Sequence, residues 1–579
     1  MGALQEAPLE FVAADDVPCG GVLLALPALL LEGLLRHSRA HFTLPPGYYP
    51  LETLFLVLAF MALARLRTVE ALRYEPPGEW GKLVGLDRIP EAKTLRQKIA
   101  GLCATPEPVA KWSQTLARDW IGALEADCTG VYYIDGHVRV YHGELTKLPR
   151  RYVSRERLCL RGTTDYWVNG LGGQPFFVVT RPIDPGLGTV LREQIVPRLL
   201  ALVPLDPVAA ALPVDLASDD AQPTATVTPA PAPAAGAPPP TSLPPPPRLT
   251  IVFDREGYSP ALFAELKALR VAILTYHKFP DADWPEAEFA PHTVTLHHGE
   301  TVVMSLAERG TCLTNGLWLR EVRHRDAHGH QVSILSTDHH IELPPIAVRM
   351  FARWCQENFF KYMREHYSLD RLVEHGVEAL PETTVVINPA WRRLDAQVRR
   401  ARELLRRAQA QLGAGSLTAT PAPSEVEAWQ VRQGELSARI AQERTRLEEL
   451  KTQRKATPQK LELGALPKEE QFGRLPQTRK HFVDTIRLVA YRAETAMAHL
   501  VREKLARDDD ARALLREIYS CTADLRPDAE AKTLTVRIHP LACRAHDTVL
   551  VHLCAELTAT ETLYPGTDLR LIYQLAGSS

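Results

Sequence analysis

Three acidic residues stand in apolar settings suited to metal chemistry: Asp135 in VYYIDGH, Asp254 in LTIVFDREG and Glu357 in RWCQENFFKYMR. The first two follow short runs rich in Val, Ile and Tyr, which predict buried strands that deliver a carboxylate at their ends. The third falls in a segment of helical character. Carboxylates are hard oxygen ligands, so two strand-end aspartates and one helical glutamate suit magnesium, whereas histidines would be the wrong donors. Two such ions beside a phosphodiester can activate the attacking oxygen, stabilise the crowded phosphorus and take up charge on the leaving oxygen. Asp135 ends the first and central strand of its region, which makes it the candidate to bridge both ions.

Cations surround the third acid. Arg353, Glu357, Lys361 and Arg364 follow spacings of four, four and three, so they share one helical face. Such a face could hold a metal on Glu357 while its neighbours grip phosphate oxygens. An ordinary salt-bridge ladder on a surface helix gives the same pattern, and the two readings stay open at this point. Phe351, Trp354, Phe359 and Phe360 predict that another face of the helix packs into a core. Asp165, Asp338 and Glu365 are spare acids nearby, with Asp338 a possible accessory ligand.

Other patterns carry less. Eight histidines lie between His292 and His340, but they have neither cysteine partners nor an HExxH helix, so solvated positions are expected. His142 and Glu144 form H-x-E without the cysteine pair of a zinc deaminase. His137 and His142 are read as core or loop residues. Neither a GxxxxGK[ST] loop nor a GxSxG elbow is present, which removes nucleotide triphosphatase and serine hydrolase chemistry.

Elements must position these groups, and the 579-residue chain is long enough for three or four domains. Its net charge is −2, so any nucleic-acid surface must be local. Two basic stretches stand out, Arg139 to Arg161 and Arg392 to Arg407, each with seven basic residues. Nine scattered cysteines without a CxxC pair argue against a zinc finger or disulfide framework and for a reducing compartment. The longest uncharged apolar stretch, 17–31, is broken by Pro27 and is too short to span a bilayer.

Residues 1–125 read as helical, and GLDRIPEAKTLRQKIAGL predicts two short helices around a turn, with Lys93, Arg96 and Lys98 on the second. DNA reading and plain packing both fit that hairpin. From 129 the period becomes two-fold, predicting a meander that turns at NGLGG, then an amphipathic helix. Residues 205–248 are rich in proline, alanine and threonine and read as a disordered insertion inside one catalytic region of 129–370. Alternating residues over 280–340 predict a β-rich insertion, and Pro344 and Pro345 open a helix running from about Ile346 to Tyr367. Leu394, Val398, Ala401, Leu405, Ala408 and Leu412 continue into a stripe of Trp429, Leu436, Ile440, Leu447 and Leu450, predicting a coiled-coil hairpin over 389–455. An α+β segment is expected over 479–577, with strands in TLTVRIH and DLRLIYQL.

The order and setting of YIDGH, VFDREG and RWCQENFFKYMR resemble the acidic triad of the DDE transposases. Their gaps, 254 − 135 = 119 and 357 − 254 = 103, are similar to insertion-sequence members whose long second gap holds a β-rich insertion. Arg353 and Glu357 match the R-x3-E part of the Y-R-E-K pattern in that group. Met350 stands at its tyrosine position and Arg364 at its lysine position, with Lys361 one turn earlier. The resemblance, which covers about 130–370, implies a multidomain α/β protein with a ribonuclease H-like core. It implies Mg2+ as cofactor, two ions held by Asp135, Asp254 and Glu357, with Mn2+ able to substitute. Arg353, Lys361 and Arg364 would contact phosphates. The implied activity is metal-dependent cleavage at transposon ends in double-stranded DNA, then strand transfer of the 3′-hydroxyl into target DNA. A homodimer would pair the ends, in the bacterial cytoplasm at the nucleoid. A ribonuclease H-like nuclease without strand transfer and a non-catalytic DNA-binding derivative are the rival readings.

Overall fold

The computed structural model describes residues 6–124, 130–143, 147–153, 156–181, 184–203, 245–296, 299–371, 373, 376–417, 426–505 and 507–577. The disordered insertion expected over 205–248 lies outside the described residues except for its last four. The chain divides into two compact units, one of Met1–Tyr141, Arg150–Gly376 and Leu475–Ser579, the other of His142–Pro149 and Val377–Arg474.

The first unit begins with a strand, β1 (Ala14–Val17), where only helix was expected. Helices Leu51–Leu63, Ala92–Leu102 and Pro106–Gly122 follow. The first of these is buried on nearly every side, as its unbroken apolar run dictates. The expected two-helix turn within 85–102 is a single helix, Ala92–Leu102. The preceding short helix, Pro77–Lys82, lies upstream of that stretch.

The large sheet takes strands β2 (Val131–Val140), β3 (Arg150–Val153), β4 (Leu158–Asn169), β5 (Pro175–Arg181), β6 (Leu249–Phe253) and β7 (Val271–Tyr276). It continues through β8 (Ala290–Thr295), β9 (Thr301–Cys312), β10 (Trp318–Arg325) and β11 (Gln331–Ser336). Their order is β3-β4-β2-β6-β7-β11-β10-β9-β8, and β5 also pairs with β4. β2 is central: antiparallel to β4 on one side and parallel to β6 on the other, with β7 parallel to β6 in turn. β6 and β7 are near-continuous apolar runs, buried throughout except for the partly buried Tyr276, as strands covered on both faces require. The β-rich insertion is an extension of this sheet, because β11 pairs antiparallel with β7.

The helix expected from Ile346 to Tyr367 is two helices, Leu343–Phe351 and Trp354–His366, joined through Ala352 and Arg353. Glu357 therefore lies in the first turn of the second helix rather than near the middle of a long one.

In the second unit, helices Pro389–Leu417 and Val426–Ala456 pack through Val398, Ala401 and Leu447, with Leu405 and Leu450 alongside. Their sense is antiparallel, since Asp395 near the start of one pairs with Arg454 near the end of the other at 2.7 Å. The unit also holds a two-stranded sheet of β12 (Val385–Ile387) and β13 (Lys460–Glu462).

The C-terminal residues return to the first unit. β14 (Ala523–Asp528), β15 (Thr533–Ile538) and β16 (Arg570–Leu575) form a sheet whose edge is β1 from the opposite end of the chain. Leu525 pairs with Ala14. Helix Thr478–Arg502 is buried along most of its length and packs against helix Leu51–Leu63, helix Pro106–Gly122 and β5. The boundaries expected at 125 and 479 thus do not divide this unit. No helix among the described residues is long and apolar enough to cross a membrane.

Candidate functional site

Strand register brings the two aspartates together. Ile134 pairs with Phe253 in the parallel ladder between β2 and β6, so Asp135, within β2, and Asp254, just past β6, stand at the same level. Phe253 pairs in turn with Thr275 of β7, which puts Tyr276 at that level too. Asp135, Asp254 and Tyr276 therefore lie side by side across three parallel strands. Asp254 and Tyr276 stand at the carboxyl ends of β6 and β7, whereas Asp135 is midway along β2, which runs on to Val140, so the expected strand-end position holds for Asp254 and not for Asp135. Asp135 accepts the Gly136 N–H at 2.8 Å, and Asp254 accepts the Arg255 N–H at 2.6 Å as the cap of a short 3-10 turn.

The helix Trp354–His366 supplies the third acid, and the neighbouring Gln356 fixes where it sits. The buried Gln356 amide donates toward Tyr133 O at 3.2 Å, Trp167 O at 3.1 Å and Asn169 Oδ1 at 3.1 Å. It thereby ties the first helical turn to β2 and β4. Asn169 in turn donates to Gly173 O at 2.9 Å, closing the NGLGG turn. Gly173 has φ +76°, and a Cβ there would meet Cys355 Cβ at 3.2 Å, so this turn packs directly under the helix start. Phe359 and Phe360 anchor the same helix against Trp167.

Arg353 caps that helix and stands among the acids. Its Nη2 donates to Glu357 Oε1 at 2.7 Å, while its Nη1 lies 3.7 Å from Asp135 Oδ2. Burial opposes its charge, but Asp135, Asp254, Glu357 and Tyr276 outweigh that and hold the guanidinium protonated. Its buried Nε has no acceptor among the described residues. Asp135 is pushed up to about 6, chiefly by burial, with Arg353 pulling it down and Asp254 and Glu357 pushing it up. Burial likewise raises the Tyr276 phenol, against the pull of Arg353.

The other cations of the helix face differ in setting. Lys361 is exposed. Arg364 is half-exposed, with Nε 3.7 Å from Asp370 Oδ2. Asp370 also holds the buried His137, which stacks on Phe360 at 5.2 Å and so is a core residue. Arg139 and Asp165 are a fully buried ion pair, which removes Arg139 from the basic surface and Asp165 from the spare acids. Asp338 is buried and accepts from its own loop at His340 N, 2.9 Å away. Glu365 is exposed. His297 and His298 lie outside the described residues.

Two acids near the site were not singled out from the sequence. Glu256, two residues past Asp254, keeps a solvent-accessible edge in crowded surroundings; burial and the charges of Asp184, Asp135 and Asp254 push it up to about 7. Asp184 accepts from Tyr166 Oη at 2.7 Å and Thr164 Oγ1 at 3.1 Å. Glu256 was legible in principle, since DREG places it one short turn from Asp254. Nothing in the sequence marks Asp184.

The donor chemistry fits hard divalent cations: several carboxylates, a net excess of acid over base, and a cation already balanced between Asp135 and Glu357. The spacing is looser than a closed ligand set. Among the described residues, the group offering three ligand atoms within 4.8 Å of one another is Asp16, Asp524 and His539, at the seam between β1 and β14.

The class defined by this geometry is a mixed α/β protein with an acid-rich site where β6 and β7 end beside β2. Its family follows from comparison: the profile of a family described as transposase protein matches residues 1–216 and 247–577. The chain belongs to that transposase family, whose members are DNA-processing proteins. The interval the match skips lies within the proline-rich stretch. No curated protein matches the chain.

Proposed function

We propose that this transposase acts by DDE chemistry, cutting at the ends of its element and joining the exposed 3′-hydroxyl to target DNA. The observation that carries the reading is the register that aligns Asp135 with Asp254, with Arg353 linking Asp135 to Glu357. The order β5-β4-β2-β6-β7, three antiparallel strands followed by two parallel to the first, supports a ribonuclease H-like core.

Asp135, Asp254 and Glu357 are the residues that would hold two Mg2+ ions, or Mn2+ in their place. Bound there, the ions supply an activated oxygen nucleophile and charge stabilisation at phosphorus. Arg353 bridges Asp135 and Glu357 and offsets their mutual repulsion. Lys361, exposed one turn beyond Glu357, faces the solvent from which the DNA backbone arrives. Arg364 adds positive charge at the far end of that helix. Pairing of two element ends calls for a homodimer, and the helical hairpin of the second unit is a candidate coiled-coil surface for it.

The test is purified protein with Mg2+ or Mn2+ and duplexes carrying the inverted repeats that flank its coding region. Joined products that require Asp135 support the reading. Cleavage without joining favours a plain nuclease, and binding with neither, unchanged in Asp135→Ala, favours a non-catalytic DNA-binding protein.

A further inference from the structure

We infer that Glu494 is a positioning residue for the candidate site: its buried carboxylate gathers Tyr362 and Tyr367 and so fixes the helix that carries Glu357. The inference rests on the functional reading above for the meaning of Glu357, and on geometry for the rest.

Glu494 lies on helix Thr478–Arg502 with its side chain fully buried. Such a charge is stable only when paired and hydrogen-bonded. Here Arg65 Nη2 lies 2.7 Å from Oε2 and Arg512 Nη1 lies 3.7 Å from Oε1. The phenols of Tyr362 and Tyr367 both donate to the carboxylate, one to each oxygen. Arg516 reaches the Tyr362 hydroxyl at 3.2 Å, and the Arg65 guanidinium lies 4.4 Å from the centre of the Tyr367 ring. Burial pushes the Glu494 carboxyl up, but the two arginines and two phenols outweigh it and hold it below its ordinary value.

Tyr362 and Tyr367 belong to the second half and the end of helix Trp354–His366, whereas Gln356 anchors its first turn. Two polar anchors on different elements fix both the pitch and the rotation of the helix between them. Glu357 follows Gln356 directly, so a slide of about 1 Å at the distal anchor would displace its carboxylate by a distance that matters for a reacting site. Arg65, at φ +62°, brings the end of the Leu51–Leu63 segment into the same cluster. The position of Glu357 is thus set by residues far from it along the chain.

The experiment compares Tyr362→Phe, Tyr367→Phe and Glu494→Gln with Tyr564→Phe in the full chain. Tyr564 is a buried phenol that donates to Leu83 O at 3.0 Å and touches neither the helix nor the acids. Amide hydrogen exchange over 354–366 is read together with Mn2+ affinity in the absence of DNA. The tyrosine and Glu494 variants are expected to speed exchange in that helix about tenfold and to weaken Mn2+ binding about five- to tenfold, as lost supporting partners do at metal sites. Tyr564→Phe should change neither. If Glu494→Gln does not fold, the two phenylalanine variants, each lacking a single oxygen, decide the matter. Unchanged exchange in both, or equal acceleration in Tyr564→Phe, overturns the inference. Wild-type protein with no Asp135-dependent Mn2+ binding would instead overturn the functional reading, while the exchange measurement still judges the anchor.

Discussion

Arg353 links the acid midway along β2 to the acid in the first turn of the helix, at 3.7 Å from Asp135 and 2.7 Å from Glu357. A single internal cation thus balances carboxylates that would otherwise repel one another. Arg353→Ala should destabilise the metal-free protein by about 1 kcal/mol, since its carboxylate partners are partly exposed and water screens much of their repulsion. Magnesium should restore much of that loss. Thermal unfolding of the variant with and without the ion checks this, and a midpoint insensitive to magnesium would contradict it.

Replacing an acid by its amide keeps shape and removes charge. Asp135→Asn, Asp254→Asn and Glu357→Gln should each lower DNA cleavage by about a thousandfold or more, since each removes a proposed metal ligand. Binding to duplex DNA, read by fluorescence anisotropy at fixed salt, should stay within about threefold because backbone contacts dominate affinity. A variant that keeps a substantial part of wild-type cleavage would exclude that residue from the site.

Gln356→Ala removes the donor to two backbone carbonyls and Asn169. Leaving those acceptors unpaired should cost about 2–3 kcal/mol. Gln356→Glu should be at least as damaging, because a carboxylate cannot donate to them. Urea unfolding measures both, and a loss within error of zero would show that Gln356 does not pin the helix.

The insertion strands carry their own acid-sensitive cluster. Burial pushes the Glu321 carboxyl up, but His277, Ser333 and Arg323 outweigh it and hold it at about 2, against an ordinary 4.5. A depressed carboxyl stabilises the fold above its unfolded value, and that stability is lost as pH falls from 4.5 toward 2. The gap corresponds to about 3 kcal/mol. Glu321→Gln should flatten the pH dependence of unfolding in that window, and an unchanged profile would refute the assignment.

Much of the sheet was legible because β6 and β7 are near-continuous apolar runs and the insertion strands alternate. Asp135 and Asp254 stood out for the same reason, each following such a run. The break at Ala352 and Arg353 was not legible, since neither proline nor glycine marks it. Gln356 was invisible because its role depends on carbonyls that folding alone brings near. The place of Thr478–Arg502 is hidden by its charges: Lys480, Asp484, Arg487, Arg492 and Glu494 are residue types seldom buried, yet here all are buried and paired. The pairing of Ala14 with Leu525 has no local signature at all.

That last pairing bears on how the protein is made. A ribosome finishes every strand of the large sheet, and Glu357 itself, before it begins the helix that steadies Glu357 from behind. β1 waits even longer for its neighbour. The apolar surface that helix Thr478–Arg502 covers therefore stays exposed until that helix has been made, a long-range dependence that slows assembly. A message cut short upstream of residue 478 yields a polypeptide that keeps the Gln356 anchor of the helix and lacks the Glu494 one.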